Sequence, residues 1–415
     1  MRIIYLNPCG KLGGAETSLR ELLAAVRAAE PAWELWLVLG EDGPLAAIAR
    51  DLGVNVVLRP FPPGLARLGD AGGGLKALWS LLKTAIPTLR YTRNLADWLR
   101  RIRPDIIHTN GFKMHLLGAW SRPHRTPVVW HIHDYVSSRR LMNSLLGIFR
   151  RSCTVAVANS KSVALDLQSL FKELRIVAIY NAVDLDRFSP TGEKLDLDAA
   201  AGLGPAPAGT IRAGLVATFA RWKGHTVFLK ALARLSAGVP VRGYIIGGPI
   251  YQTEGSQRTL ADLRQEADNL GLSGKVGFTG FLENTAAAMR SLDLVVHAST
   301  QPEPFGMVII EAMACGRAVI ASQAGGASEL FKDGQNALAH PPADSTILAQ
   351  QIERLSNDEG LRSRLGAAGR MTAERLYKRE RLAKELLAVY REIKAQPAGI
   401  RPEPEARKSL PAVSN

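Results

Sequence analysis

Two glutamates, Glu303 and Glu311, bracket the run Pro-Phe-Gly-Met-Val-Ile-Ile at a spacing that would let them share one ligand. Pro302, Pro304 and Gly306 precede a helix-forming stretch that Gly316 ends. This loop would expose the amides of a helix N-terminus, a ready site for phosphate. Glu311 would lie about 7.5 Å beyond Gly306 along that helix, at ~1.5 Å per residue, while Glu303 stays in the loop. The two carboxylates could straddle an anionic group, each accepting hydrogen bonds from sugar hydroxyls. The rival reading makes Glu303 a cap and Glu311 a solvated surface charge. Val308, Ile309, Ile310, Ala312 and Met313 around Glu311 speak against it, since a carboxylate in apolar surroundings needs a partner.

Three further clusters carry polar chemistry. Arg221 and Lys223, in Ala217-Thr-Phe-Ala-Arg-Trp-Lys-Gly-His225, fall in a turn directly after an apolar run. A cation there would neutralise charge building on a departing diphosphate, and such contacts strengthen as that charge grows; an ordinary solvated turn is the alternative. In Val128-Val-Trp-His-Ile-His-Asp-Tyr135, His131 and His133 alternate along a strand end, which predicts that they point to opposite sides. Their His-x-His spacing lacks a third ligand, so a metal site is rejected. Gly13 and Gly14 would let backbone approach a phosphate between the first strand and a helix over Thr17–Ala29. They do not complete Gly-x-Gly-x-x-Gly, so a nicotinamide site is poorly supported and a tight turn competes.

The elements that must position these residues alternate strand with helix, the pattern of a parallel sheet covered by helices. Strands are expected at Ile3–Asn7, Leu35–Leu39, Val54–Leu58, Ile106–Thr109, Val128–His131, Thr154–Ala158 and Ile176–Ile179. After a Pro/Ala/Gly-rich break at Pro205–Gly209 they resume at Ile211–Thr218, Arg242–Gly247, Val276–Thr279, Leu294–His297 and Ala318–Ala321. The expected fold is α/β: two doubly wound domains in tandem, joined near residues 185–210, with ligands beyond the carboxyl ends of the strands. Two such domains facing each other would enclose one cleft. Ser345–Ala395 reads as helical, and residues 396–415 as a polar, Pro-rich, disordered tail.

The segment from Glu303 to Gly316 resembles the donor motif of the retaining glycosyltransferases of family 4. Ala318–Glu329, Asp333-Gly334, Gly13–Glu16, Pro104–His108, His133-Asp134, Asn181–Phe188, Lys223-Gly224 and Phe278–Phe281 are similar to that family too, so the resemblance covers roughly residues 1–392. It implies the GT-B fold, two Rossmann-like domains facing a central cleft with a C-terminal helix crossing back to the first. The implied bounds are 1–195 for an acceptor-binding domain, 196–375 for a nucleotide-sugar domain, 376–395 for the returning helix and 396–415 for the tail. It implies that Glu303 lies by the donor sugar, that Glu311 binds ribose hydroxyls, and that amides around Phe305, Gly306, Met307 and Val308 meet the diphosphate and sugar. His133 aligns with the family histidine near donor and acceptor, Lys223 with its lysine, and Gly13-Gly14 with its phosphate-facing loop. The family arginine, usually directly after a glycine, falls at Thr218 behind Ala217, and Arg221 is read as its replacement. His133, Glu303, Lys223 and Arg221 are thus the candidate catalytic set. The implied donor is a UDP-, GDP- or ADP-sugar, with no metal or other cofactor, and the implied acceptor is a lipid-linked or surface glycan.

Bulk properties fit that reading. With 415 residues, 47% apolar and 22% charged, the chain can bury two cores. No stretch approaches ~20 uninterrupted apolar residues. The N-terminus reaches a polar turn too soon for a signal peptide, and Cys9, Cys153 and Cys315 match no disulfide or metal spacing. A cytoplasmic protein is expected, associated peripherally with the inner face of the plasma membrane if its basic surface meets lipid. Of the net charge of +14, residues 1–195 carry 26 Lys/Arg against 16 Asp/Glu, or +10, leaving +4. No basic run interleaves with aromatics, which argues against nucleic acid. The stretch from Lys76 to Arg103 has seven basic residues against Asp97, with Leu75, Leu78, Trp79, Leu82 and Ile86 at helical spacing before Pro87 breaks the pattern. It suggests contact with an anionic bilayer; a core-facing stripe with solvated arginines is equally compatible. A nucleotide-sugar epimerase and a non-catalytic glycan- or nucleotide-binding module are the functional alternatives.

Overall fold

The computed structural model describes residues 1–62, 75–249 and 257–395, with backbone only at 75–84. The expected tail, 396–415, lies outside the described residues, as do the side chains of Lys76 and Lys83. Two compact units emerge. Among the described residues, the first comprises those within Met1–Asn159 and Val163–Ile179 together with Ala383–Ala395; the second comprises Ser160–Ser162 and those within Tyr180–Leu382.

In the first unit β1 (Arg2–Asn7), β2 (Glu34–Leu39), β3 (Asn55–Leu58), β4 (Ile106–Asn110), β5 (Val128–Ile132), β6 (Val155–Ala158) and β7 (Ile176–Ala178) form one sheet in the order β3-β2-β1-β4-β5-β6-β7. Every pairing is parallel. Ile4, Leu6, Ile107, Val128 and Trp130 are buried in its core, as continuous apolar runs in a sheet covered on both faces require. Each such side chain contributes about 1.5–3 kcal/mol by leaving water.

The second unit has a six-stranded sheet of β8 (Ile211–Val216), β9 (Val241–Ile246), β10 (Val276–Gly280), β11 (Leu294–His297), β12 (Ala318–Ser322) and β13 (Leu338–His340), ordered β10-β9-β8-β11-β12-β13 and again parallel. Strand order reverses between β1 and β4 in one sheet and between β8 and β11 in the other. Loops leaving the carboxyl ends of such strands diverge and open a crevice. The two α/β sheets are those expected.

Several local expectations need correction. The Pro-rich stretch at 205–209 is a surface loop of the second unit, not a boundary, and the division falls after Ile179 rather than near 195. Val183, Phe188 and Leu197 pack into the second core with Tyr244 and Phe305. Arg290 ties the same segment down, donating to the carbonyls of Glu193 at 2.7 Å and Arg187 at 3.1 Å. Pro87 does not end its helix, which runs Leu75–Ile102; Pro87 is exposed, where water can take the carbonyl its ring leaves unbonded. The helical region after Ser345 is three helices, Ser345–Asn357, Glu359–Leu376 and Arg379–Ala395. Asp358 caps the second, its carboxylate accepting from the Leu361 amide at 2.7 Å. The last helix contributes Ala383 onward to the first unit. There the Tyr390 hydroxyl lies 2.7 Å from His108 Nδ1, and Lys394 and Arg391 pair with Asp105 and Glu30. Among the described residues, no helix is long and apolar enough to cross a membrane.

Candidate functional site

The polar cluster of the second unit sits at the strand-order reversal, where the chain leaves β8 and β11. After β8 the chain makes a short 3-10 turn, Arg221–Lys223, closed by Gly224 in the left-handed conformation (φ 78°). A Cβ on Gly224 would stand 1.8 Å from the Ala298 carbonyl oxygen, so only glycine lets this turn press against the end of β11. The Thr300 amide donates to the Trp222 carbonyl at 2.8 Å and ties the two loops together.

That closure brings Lys223 to Glu303. The ammonium lies 2.7 and 3.0 Å from the two carboxylate oxygens and 4.0 Å from the centroid of the Trp222 ring. Glu303 Oε2 also accepts from the Ser299 hydroxyl at 2.7 Å and lies 3.3 Å from His297 Nε2. Glu303 is only 7% exposed. Burial pushes its carboxyl upward, but the Lys223 charge and the His297 contact outweigh this and hold it well below the usual carboxylate range. Behind it, the loop after β12 forms a buttress. The Glu303 amide donates to the Ala324 carbonyl at 3.4 Å, and a Cβ on Gly326 would come within 2.0 Å of the Pro304 carbonyl oxygen.

Gly306 (φ 106°) starts the helix Met307–Ala314, whose first turn has no side-chain cap. Phe305 is buried in the core, so only its backbone can serve the site. Glu311 is half-buried on that helix. Arg221 is exposed, and its charge acts on Asp262 at the start of the helix Leu260–Asn269.

The first unit gathers a second cluster at its own reversal. Asn7 Nδ2 donates to the Cys9 carbonyl at 2.5 Å, Asn110 Nδ2 donates to Asn7 Oδ1 at 2.5 Å, and Asn110 Oδ1 faces His133 Nε2 at 2.5 Å. The Cys9 carbonyl can only accept, so it sets the direction of the chain. His133 must carry its proton on Nε2 and present Nδ1 as a lone pair. Burial lowers its pKa to about 4, so it is neutral at physiological pH. Its ring lies 4.1 Å from that of His131, not on the opposite side. The alternation fails because β5 ends at Ile132, before His133. Beneath them His131 Nδ1 meets His108 Nε2 at 3.2 Å, and His108 Nδ1 meets Tyr390. Gly13 caps the helix Gly14–Ala29, its amide donating to Glu16 Oε2 at 3.2 Å, and a Cβ on Gly14 would meet nothing within 4 Å.

Thus Lys223 and Glu303 are in direct contact in the second unit, where Arg221 is exposed in the same turn as Lys223, and His133 is fixed by Asn110 in the first. Sequence reasoning missed His297, Ser299 and Asn110. Each lies at or within two residues of the carboxyl end of a buried strand, which was the available signal.

Residues 12–187 match the family model described as Glycosyltransferase Family 4, and residues 205–372 match that described as Glycosyl transferases group 1. A lipopolysaccharide core biosynthesis glycosyltransferase, LpsE of Rhizobium meliloti, is 29% identical over 57% of this chain and 63% of its own length. A D-inositol 3-phosphate glycosyltransferase of Corynebacterium urealyticum is 29% identical over 59% of this chain and 58% of its own. The chain therefore spans about three fifths of these curated relatives. Anabaena HepE, solved in complex with UDP-glucose, has the same fold, with a TM-score of 0.75 at 23% identity over 94% of this chain and 100% of that one.

Proposed function

Because the chain belongs to family 4 of the glycosyltransferases, a transferase class built on the GT-B fold, we propose that it moves a hexose with retention from a nucleoside-diphosphate sugar to a lipid-linked or polysaccharide acceptor. The carrying observation is the Lys223–Glu303 pair at the strand-order reversal of the second sheet, beside an uncapped helix N-terminus. It sets a phosphate-binding cation and amides next to a carboxylate able to accept sugar hydroxyls. Lys223 and the Met307–Val308 amides take the diphosphate, Glu303 the sugar and Glu311 the ribose, with no metal needed. The acceptor oxygen forms its bond to the anomeric carbon from the face the diphosphate leaves. The electron pair of the broken carbon–oxygen bond goes to phosphate, which also receives the acceptor's proton. In the first unit, neutral His133 offers Nδ1 as a hydrogen-bond acceptor, and the Gly13–Gly14 loop is read as a phosphate-facing backbone.

The name of the LpsE relative favours a cell-surface glycan as product, and the HepE complex favours a uridine donor. A membrane-borne acceptor is supported by exposed Ile86, Trp120, Leu141 and Ile148 on helices of the first unit, near exposed Arg90, Arg93, Arg139, Arg140, Arg150 and Arg151. Exposed apolar side chains on helices that also carry exposed arginines suit the inner face of an anionic membrane. Thermal-shift screening with UDP-, GDP- and ADP-sugars tests the donor, with about 2.7 kcal/mol of stabilisation at a hundredfold excess over Kd. Intact donor turnover by Glu311→Ala would overturn the assignment, and altered sugar nucleotide formed without acceptor would identify an epimerase instead.

A further inference from the structure

Lys223 gives both of its close carboxylate contacts to Glu303, yet the proposed reaction needs the same ammonium on a diphosphate. Once Lys223 turns to phosphate, the carboxylate keeps the Ser299 hydroxyl at 2.7 Å and His297 at 3.3 Å, both already on Oε2. A buried carboxylate deprived of its cation is costly, and breaking such a pair from one side usually costs several kcal/mol. Sugar hydroxyls can answer part of that loss. A nucleoside diphosphate without a sugar offers none.

His297 is placed to answer the rest. It ends β11, is 4% exposed and touches the carboxylate through Nε2, while Nδ1 has no hydrogen-bond partner among the described residues. The groups facing this corner are Glu303 from the loop, Lys223 from the turn after β8, and His340 from β13. His340 Nε2 lies 3.2 Å from the His297 carbonyl oxygen and anchors the backbone there. Nε2 faces both Glu303 Oε2 at 3.3 Å and the Ser299 hydroxyl at 3.1 Å, so a proton added at Nδ1 would make His297 a cation while Nε2–H keeps these two acceptors. Histidine is the side chain able to change charge in this way near neutral pH.

We propose that His297 is a positioning residue that takes up a proton when a nucleoside diphosphate draws Lys223 away from Glu303, keeping the carboxylate anionic and in place for the sugar. The inference rests on the reading that Lys223 binds the donor's diphosphate. It also separates substrate from product. A sugar nucleotide brings its own hydroxyl donors to Glu303, whereas the spent diphosphate holds Lys223 only with a proton added, so its binding weakens as pH rises.

The test is calorimetric titration of the full chain with UDP, and in parallel GDP and ADP, in buffers of different ionisation enthalpy, so that proton uptake is counted. The nucleotide's own titration is common to every protein compared. Wild type is expected to take up more protons than His297→Asn, by up to about one per site, and its affinity for the diphosphate to fall up to about tenfold per pH unit relative to that variant. Ser299→Ala removes a hydroxyl that does not titrate but touches both Glu303 Oε2 and His297 Nε2, leaving His297 Nδ1 and the Glu303 contact in place, so it is expected to keep the wild-type proton count. His297→Gln, with circular dichroism to confirm folding, serves if the asparagine variant does not fold. Equal uptake by wild type and the His297 variant that folds, or loss of the difference in Ser299→Ala, overturns the proposal. Binding of none of the three nucleotides overturns the donor-site reading itself and the proposal with it.

Discussion

Replacing Lys223 by methionine keeps an apolar stem beside Trp222 and removes only the charge. Its partner Glu303 is 7% exposed, and the two side chains are 20% and 9% exposed, so solvent screens the pair little. Removing one member of a buried pair costs about 3–5 kcal/mol. The Ser299 and His297 contacts remain, which puts the expected loss near the lower end, about 3 kcal/mol. At roughly 2–4 °C per kcal/mol for a unit of about 200 residues, Tm should fall by about 6–12 °C at pH 8. The pH dependence carries the sign. In wild type the folded carboxyl is held below its unfolded value, so its contribution is present above the ordinary carboxylate range and lost as pH falls below it. In Lys223→Met the cation is gone and burial is opposed only by the Ser299 and His297 contacts, so the folded Glu303–His297 pair binds a proton more readily than the unfolded chain. The gap between variant and wild type should therefore narrow between pH 8 and pH 5. Thermal unfolding across that range, with Lys223→Met/Glu303→Gln as the second arm, is the assay. The double variant should lose less than the sum of the two single losses. A loss below about 1 kcal/mol at pH 8 is what an exposed ion pair gives, and it would refute the reasoning.

Four further outcomes follow from the same geometry. Burial lowers the pKa values of His108, His115, His131, His133 and His225, so the folded chain excludes protons that the unfolded chain accepts below pH ~6.5. Stability is expected to fall between pH 6.5 and about 4, by up to about 1.4 kcal/mol per pH unit for each group; urea midpoints that stay flat from pH 7.5 to 5 would contradict this. Asn110→Asp sets a carboxylate against His133, which should move the acid limb of the pH–rate profile upward from about 4, and an unmoved limb removes His133 from the chemistry. Gly224→Ala forces a Cβ against the Ala298 carbonyl at a positive φ, so about 1–3 kcal/mol of strain and a raised donor KM are expected. Unchanged Tm and KM would show that the turn does not depend on this glycine. Ile148→Glu should weaken sedimentation with anionic vesicles while activity on a soluble acceptor persists, and undiminished sedimentation would place lipid contact elsewhere.

The fold was legible because its signal is long-range and repetitive. Twelve apolar runs at strand length, separated by helical stretches, have few arrangements other than two wound parallel sheets. What was missed was short or set by packing. β13, Leu338–His340, is three residues long and becomes a strand only because β12 offers it an edge. Pro205–Gly209 has the composition of a linker, yet the division is decided upstream by Val183, Phe188 and Leu197 burying themselves in the second core. The site divides along the same line. Glu303 and Lys223 were visible as residue types in loops after strands, but their contact joins positions 80 apart in the chain and depends on Gly224 having no Cβ. His131 and His133 were assigned opposite faces from a period of two, which holds only while the strand lasts, and β5 stops at Ile132. His297 carried the weakest signal of all, a single histidine closing the buried run Leu294–Val296. A buried imidazole at that position needs a reason, and the reason became visible only when the fold set a carboxylate beside it. Buried polar residues at strand carboxyl ends next to a strand-order reversal are therefore where sequence reasoning should look first for members of the site that no motif names.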